Sequence, residues 1–323
     1  MTATINDAAP GADAAFRHEA LLYSGDDGFL AGTVPFLNEA IDAEQPALVV
    51  VSAARIAMLR AALAGSGDFV FFADMTAVGR NPARIIPAWR EFLDLHATDD
   101  RPVRGIGEPI WPARTPAELV ECQRHEALLN VAFAESSPWW LMCPYDVDAL
   151  GPRVVDEAVR SHPFIRQGGG DGVPSSYFRA EEMSTTHSSA LLPEPTRCLE
   201  SMTFTVSQLA LVRGVAEARA GQFGLSESQL DDLVLAVHEI AANSVRHGGG
   251  EGRFRLWRDG RSLVAEISDR GVIDDPLVGR KYPGASSDRG RGLWIANQVC
   301  DLLQIRTYPT GSVVRLYISL DGG

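Results

Sequence analysis

The 323-residue chain lacks the features that mark several large classes of function. Its four cysteines, Cys122, Cys143, Cys198 and Cys300, lie far apart with no CxxC pair. That excludes a small disulfide-stapled fold or a zinc knuckle and makes reduced thiols the expectation. Positive charge is scarce: 29 Lys and Arg face 42 Asp and Glu, for a formal net charge of −13. Phosphate backbones and anionic lipids both select basic surfaces, so neither nucleic acid nor membrane is an expected partner. No apolar run reaches the roughly 20 residues of a bilayer span. Met1–Asp13 is small, polar and acidic, without the basic and apolar parts of a signal peptide, and the expected location is cytoplasmic. The phosphate-binding sequence GxxxxGK[ST] is also missing, so any nucleotide site must be of another kind. What remains is ordinary globular material, 46% hydrophobic and 22% charged, at a length that favours two cores.

From Phe16 to about Ala180, short β-branched or aromatic runs alternate with helical patterns. The runs are Ala47–Ser52, Phe69–Ala73, Val103–Ile106 and Trp139–Cys143; helices are expected around Phe29–Ala43, Ala54–Ala64, Pro82–His96, Pro116–Ala134 and Asp148–Ser161. Continuous apolar strands between amphipathic helices predict an α/β domain with a mostly parallel sheet over 16–180. A Gly-, Ser-, Thr- and Pro-rich stretch follows, placing a linker at 181–197. The second domain, 198–323, is predicted to be α+β: helices over Val206–Gly221 and Ser226–His247, the latter opened by the capping box Ser226-Glu227-Ser228-Gln229. Strands Arg253–Arg258 and Leu263–Ser268 meet at the hairpin signal Asp259-Gly260; a helix at Leu293–Leu302 and strands near Gln304–Thr307 and Val313–Leu320 complete a sandwich with helices on one face.

Three groups in that second domain carry chemistry. Leu230, Leu233, Val234, Val237, Ala241 and Ser244 recur at helical spacing and form a stripe to be buried, while Glu239, Asn243 and His247, spaced by four, stack on another face. Asp269-Arg270-Gly271 ends a strand with a carboxylate able to accept from an exocyclic amine, beside a glycine that lets backbone approach a flat ring. Arg289-Gly290-Arg291-Gly292-Leu293 leads into a helix, where glycine amides and the helix N-terminus suit phosphate oxygens. Each group alone has a bland explanation: a solvated helix face, a turn, a loop before a helix.

In this order and spacing, the three groups resemble the nucleotide boxes of the histidine-kinase-like (GHKL) ATPases over essentially the whole second domain. Within them, HEIAANSVRHG, ISDRGVIDDP and GRGLWIANQVCDLLQIRTYPTGSVVRLYI resemble the bacterial anti-sigma-factor serine/threonine kinases. The resemblance implies ATP and Mg²⁺ as cofactors, with Asn243 as the Mg²⁺ ligand and Glu239 as the catalytic residue, activating a hydroxyl or water or holding a metal-bound water. It also implies adenine recognition by Asp269 with Gly271, a phosphate lid at Arg289, Gly290, Arg291, Gly292 and Leu293, and Ser312 near the adenine. His247 is read as structural. The partners it implies are an anti-anti-sigma (STAS) protein, to be phosphorylated on serine or threonine, and a sigma factor; homodimerisation is compatible with it. Ile273 stands where the family has a further glycine, while Asp275-Pro276 fits the anti-sigma variant. Val272–Asp288 carries no predicted element, as a functional or moving loop would not. A second class of function, a nucleotide-gated binding module without phosphoryl transfer, stands as the alternative; the presence of both Glu239 and Asn243 argues for catalysis. Autophosphorylation on histidine is disfavoured: His187 lies in the linker and His162 precedes a proline.

FRHEALLYSGDDGFL, GIGEPIWP, RHEALLN, CPYD and HPFI in the first domain resemble the MEDS sensory domain, which implies a RecA-like α/β fold that senses a signal. RHEALL occurs twice, at Arg17–Leu22 and Arg124–Leu129, without matching flanks. His18, His125, Cys143 and His162 are candidate metal ligands without ligand-type spacing; Trp111, Trp139 and Trp140 could line a small-molecule pocket or fill the core. No catalytic motif supports a metabolic enzyme in this domain.

Overall fold

The computed structural model describes residues 16–63, 69–98, 101–136, 138–167, 170–172, 191–284 and 290–320. The chain separates into two compact units, one made of 1–79 and 88–183, the other of 184–323 together with the short segment Arg80–Pro87.

In the first unit, seven strands form one sheet in the order β3-β2-β4-β5-β1-β6-β7. They are β1 (Phe16–Tyr23), β2 (Ala47–Val51), β3 (Val70–Asp74), β4 (Val103–Gly107), β5 (Trp139–Asp146), β6 (Phe164–Gln167) and β7 (Gly170–Gly172). All neighbours are parallel except β6 and β7. β2, every residue of which is buried, shows why these runs carry no polar alternation: helices cover both faces of a parallel sheet. The four expected strands and five expected helices are present, with shifted ends. Gly151 and Pro152 move the start of the last helix to Pro152, because proline suits the first helical position. Three strands went unpredicted: β1 and the short β6 and β7.

In the second unit, an antiparallel sheet has the order β11-β12-β10-β9-β8, built from β8 (Glu200–Thr205), β9 (Glu251–Asp259), β10 (Ser262–Asp269), β11 (Leu302–Tyr308) and β12 (Gly311–Ser319). Its helices are Leu209–Ala220, Glu227–His247 and Arg291–Val299. One core joins helices and sheet through Val212, Leu233, Val237, Ile240, Phe254, Ile267, Leu293 and Leu316, among others; each large side chain so buried contributes about 1.5–3 kcal/mol. The predicted capping box is formed, with Ser226 accepting from Gln229 and Gln229 from Ser226. The β9–β10 turn is Gly260-Arg261, with Gly260 at φ +56°, where a side chain would be strained. β8 was not predicted; Thr205 closes it and opens a 3₁₀ turn ahead of the Leu209 helix.

Candidate functional site in the second unit

The helix Glu227–His247 is the base of the site. Leu233, Val237, Ala241 and Ser244 of the expected stripe are buried, joined by Ala236 and Ile240, whereas Leu230 and Val234 sit at its margin. That rotation leaves Glu239 and Asn243 half-buried along the next face and His247 exposed in the last turn. Their partner is Gly292. A methyl group on its Cα would lie 2.8 Å from Asn243 Nδ2 and 2.9 Å from Glu239 Oε2, so only glycine leaves both head groups their room. The first and last sequence boxes, some fifty residues apart, thus meet at one point.

Gly290 enters the helix Arg291–Val299 at φ +82°, a left-handed conformation that glycine adopts without strain. The first helical hydrogen bond runs from Trp294 N to Gly290 O, at 2.9 Å. The amides of Arg291, Gly292 and Leu293 precede it, and with the helix dipole they make a terminus chemically suited to an anion. Arg291 is exposed and Leu293 is anchored in the core. Arg289 lies outside the described residues.

Asp269 ends β10 opposite Ser312. Its Oδ2 accepts from Ser244 Oγ at 2.6 Å and its Oδ1 from Gly271 N at 2.7 Å. The carboxylate is thereby fixed in orientation, yet each oxygen keeps a lone pair for a further donor. Ser312 is buried and donates to Gly271 O at 2.9 Å, so it braces the Asp269–Gly271 turn. Thr307 Oγ1 donates to Ile273 O at 2.9 Å and continues the brace. Gly248 follows the helix as closely as chemistry allows: a Cβ there would fall 2.3 Å from Asp269 Cγ.

Two residues of this arrangement escaped sequence reasoning. Ser244 counted as one more small residue of a buried stripe, and Gly248 as the end of a helix; a serine adjoining Asn243 in the same turn was the available signal. The loop after Gly271 forms no helix or strand through Gly284. It is nonetheless docked, with Leu277 buried, Asp275 Oδ1 accepting from Leu277 N at 2.9 Å, and Gly279 O accepting from Asn297 Nδ2 at 2.9 Å.

The first unit has a separate cavity of about 290 Å³ beyond the carboxyl ends of its parallel strands, the usual ligand position in such sheets. Tyr23, Ser52, Arg55, Glu108, Trp111 and Asp146 line it. Tyr23 Oη donates to Glu108 Oε1 at 2.8 Å and accepts from Arg55 at 3.1 Å. Burial pushes the Glu108 carboxyl up to about 6, against the opposing hydrogen bond from Tyr23. Trp111 therefore does line a pocket. Trp139 is core, packed on Phe16, Phe133 and Trp89, and Trp140 lies against Phe36 and the guanidinium of Arg17.

No helix among the described residues is long and apolar enough to cross a membrane. No curated protein matches the chain. Among solved structures, the chain is similar to one titled as the crystal structure of the SiaB-SiaC complex from Pseudomonas aeruginosa, at 14% identity and a TM-score of 0.31, over 43% of this chain and 95% of that one. Residues 17–163 match the family model described as MEDS, MEthanogen/methylotroph, DcmR Sensory domain, and residues 202–318 match the one described as Histidine kinase-like ATPase domain.

Proposed function

We propose that the second unit is an ATP-dependent protein kinase that phosphorylates a serine or threonine of an anti-anti-sigma partner and thereby controls a sigma factor, under a signal received by the first unit. The observation that carries this reading is the packing of Gly292 against Glu239 and Asn243, which brings a carboxylate and a neutral amide to an anion-binding helix terminus. The donor set suits the group it would hold, since Mg²⁺ takes oxygen ligands and dehydrates reluctantly. Asn243 would hold the ion, which when bound neutralises charge on the phosphates.

The chain's own residues would do the rest. Asp269, held by Ser244 and Gly271, accepts from the adenine amino group while Gly271 lets the ring approach. The amides at Gly290–Leu293 hold phosphate oxygens, with Arg289 and Arg291 adding charge. Glu239 takes the proton of the partner's hydroxyl as that oxygen bonds to the γ-phosphorus; the bond to the β–γ bridging oxygen breaks and ADP leaves with its electron pair. The added charge of about −2 on the partner would disrupt an interface that was neutral there.

The test is transfer of labelled phosphate from Mg-ATP to the host's anti-anti-sigma proteins, with Asn243→Ala and Glu239→Gln alongside. Label on a partner serine or threonine that both variants abolish supports the kinase. ATP binding without label on any partner refutes it and leaves a nucleotide-gated binding module.

A further inference from the structure

The core of the first unit contains four side chains that hydrophobic packing does not call for. His18 on β1, Glu126 on the helix Pro116–Ala132, Cys143 on β5 and His162, just past the helix Pro152–Ser161, each offer a donor atom within 4.8 Å of the others, and all four are buried. Glu126 Oε2 lies 3.2 Å from His18 Nε2 and 3.3 Å from His162 Nε2, and Cys143 Sγ lies 3.4 Å from His18 Nε2.

The parallel register sets Ala20 beside Cys143, so His18, two residues earlier on β1, shares that face of the sheet. Glu126 and Asn130, four apart on the covering helix, point the same way. His125, grouped with the histidines by sequence, is not a member of the cluster; Glu126 takes its place. The reason is the helix, which turns adjacent residues about 100° apart.

The outer atoms of both rings are tied to acceptors. His18 Nδ1 lies 3.1 Å from Asn130 Oδ1, and Asn130 Nδ2 donates to Ser161 O at 2.8 Å, which fixes the amide with its oxygen toward the ring. His162 Nδ1 lies 2.7 Å from the Ala158 carbonyl. An acceptor on Nδ1 places the proton there and turns a bare Nε2 inward, as the outer partners of metal-bound histidines do. Neither oxygen of Glu126 nor the Nε2 of His162 has a partner of hydrogen-bonding geometry. The core therefore gathers the donor atoms of two imidazoles, a carboxylate and a thiol at one point, and buried charges are normally paired or metal-bound.

A tetrahedral ion with bonds of about 2.0–2.3 Å holds its donors about 3.3–3.6 Å apart; three pairs lie at 3.2–3.4 Å, and all fall within 4.8 Å, so binding draws the wider pairs inward. Loss of the thiol proton gives the site two negative charges, the complement of a divalent cation. We infer that His18, Glu126, Cys143 and His162 bind one divalent transition-metal ion of the zinc or cobalt class, in a site closed to solvent. Binding forms the metal–sulfur bond and releases the Cys143 proton to solvent; no redox change is involved. Two nitrogens, one sulfur and one oxygen are a borderline-soft set, which disfavours Mg²⁺ and Ca²⁺.

The test is titration of the full chain with Co²⁺ after chelator treatment, with circular dichroism verifying that it stays folded. One equivalent should bind with the intense visible bands of a tetrahedral ion and a thiolate charge-transfer band, and one equivalent of Zn²⁺ should remove both. Cys143→Ser, close in shape, should keep the fold, lose the thiolate band and weaken uptake by at least about tenfold. Glu126→Gln should weaken it similarly, and Gly214→Ala, on the helix Leu209–Ala220 with open space around the added carbon, should leave it unchanged. A folded wild-type chain that takes up no more cobalt than Glu126→Gln, or shows only the weak spectrum of a hydrated ion, overturns the inference and leaves a proton shared by Glu126 and the histidines.

Discussion

Gly292→Ala probes the candidate nucleotide site with a single methyl group. Its position, 2.8 Å from Asn243 Nδ2, 2.9 Å from Glu239 Oε2 and 3.3 Å from Glu239 Cβ, is too close for all three contacts to persist. The two nearest atoms are ends of side chains, so they can rotate aside while the helices stay in place. Alanine also favours the helix over glycine by up to about 1 kcal/mol, which offsets the crowding. The net change in stability is therefore expected to be small. If Asn243 holds the ion as proposed, nucleotide binding should suffer instead, because disturbing a metal ligand through its neighbour typically costs about 10- to 100-fold in affinity, or about 1.4–2.8 kcal/mol. Gly214→Ala is the matched control: it lies in the helix Leu209–Ala220, with nothing within 4 Å of the added carbon. Calorimetric titration with Mg-ATP, paired with thermal unfolding, separates the two effects. Gly214→Ala should be as stable as the parent or more so and bind normally, while Gly292→Ala should keep its melting temperature within a few degrees and lose affinity. Unchanged affinity in Gly292→Ala would refute the placement of Asn243 and Glu239 at the nucleotide.

Ser244→Ala removes the 2.6 Å hydrogen bond to Asp269; bonds to charged groups contribute about 1.5–3 kcal/mol, so urea unfolding should show a loss in that range, together with weaker ATP binding. Glu266→Ala strips the shared partner from Arg255 and Arg315, each 2.5 Å away, in a site where Glu266 and Arg315 are both buried. Breaking such a group from one side costs about 3–5 kcal/mol, and an unfolding midpoint equal to the parent's would contradict it. The folded pKa of Glu108, about 6, lies above the ordinary glutamate value because burial disfavours the charged carboxylate, so between those two values folding takes up a proton there. Its stabilisation is complete below the unfolded value and is lost as pH rises through about 6, a swing of about 2 kcal/mol. Glu108→Gln should flatten stability over that window and raise it at neutral pH; a parental pH profile would show that the carboxyl is not buried as described.

Much of the architecture is legible from local sequence because it is set locally. β2 is an unbroken apolar run, the Ser226 box caps its helix through residues three apart, and Gly260 permits the β9–β10 turn. The proposed nucleotide boxes could be picked out for a related reason, since each is a short segment whose residue types suit one chemical task. Contacts between segments are not legible in this way. The brace from Ser244 to Asp269 and the seat of Gly292 on Glu239 and Asn243 depend on how two helices and a strand end come together.

The repeated hexapeptide RHEALL separates the two kinds of information. Arg17–Leu22 lies within β1 and Arg124–Leu129 within a helix, so six identical residues do not determine their own conformation. The second copy follows the capping box of Thr115 and Glu118, with Pro116 at the first helical position, and these local signals start a helix that runs through it. The first copy pairs in register with β5 along its whole length, and that ladder outweighs a helical propensity worth only tenths of a kcal/mol per residue. Conformation then decides chemistry: the strand presents His18 to the buried cluster, while the helix presents Glu126 and leaves His125 out. Composition, strand and helix periods and caps were settled by the sequence because they depend on neighbours a few residues away. Which histidine meets which carboxylate was settled by the tertiary structure, because donors from separate strands and helices, His18 and Glu126 more than a hundred residues apart, meet only where sheet register and helix rotation bring them together.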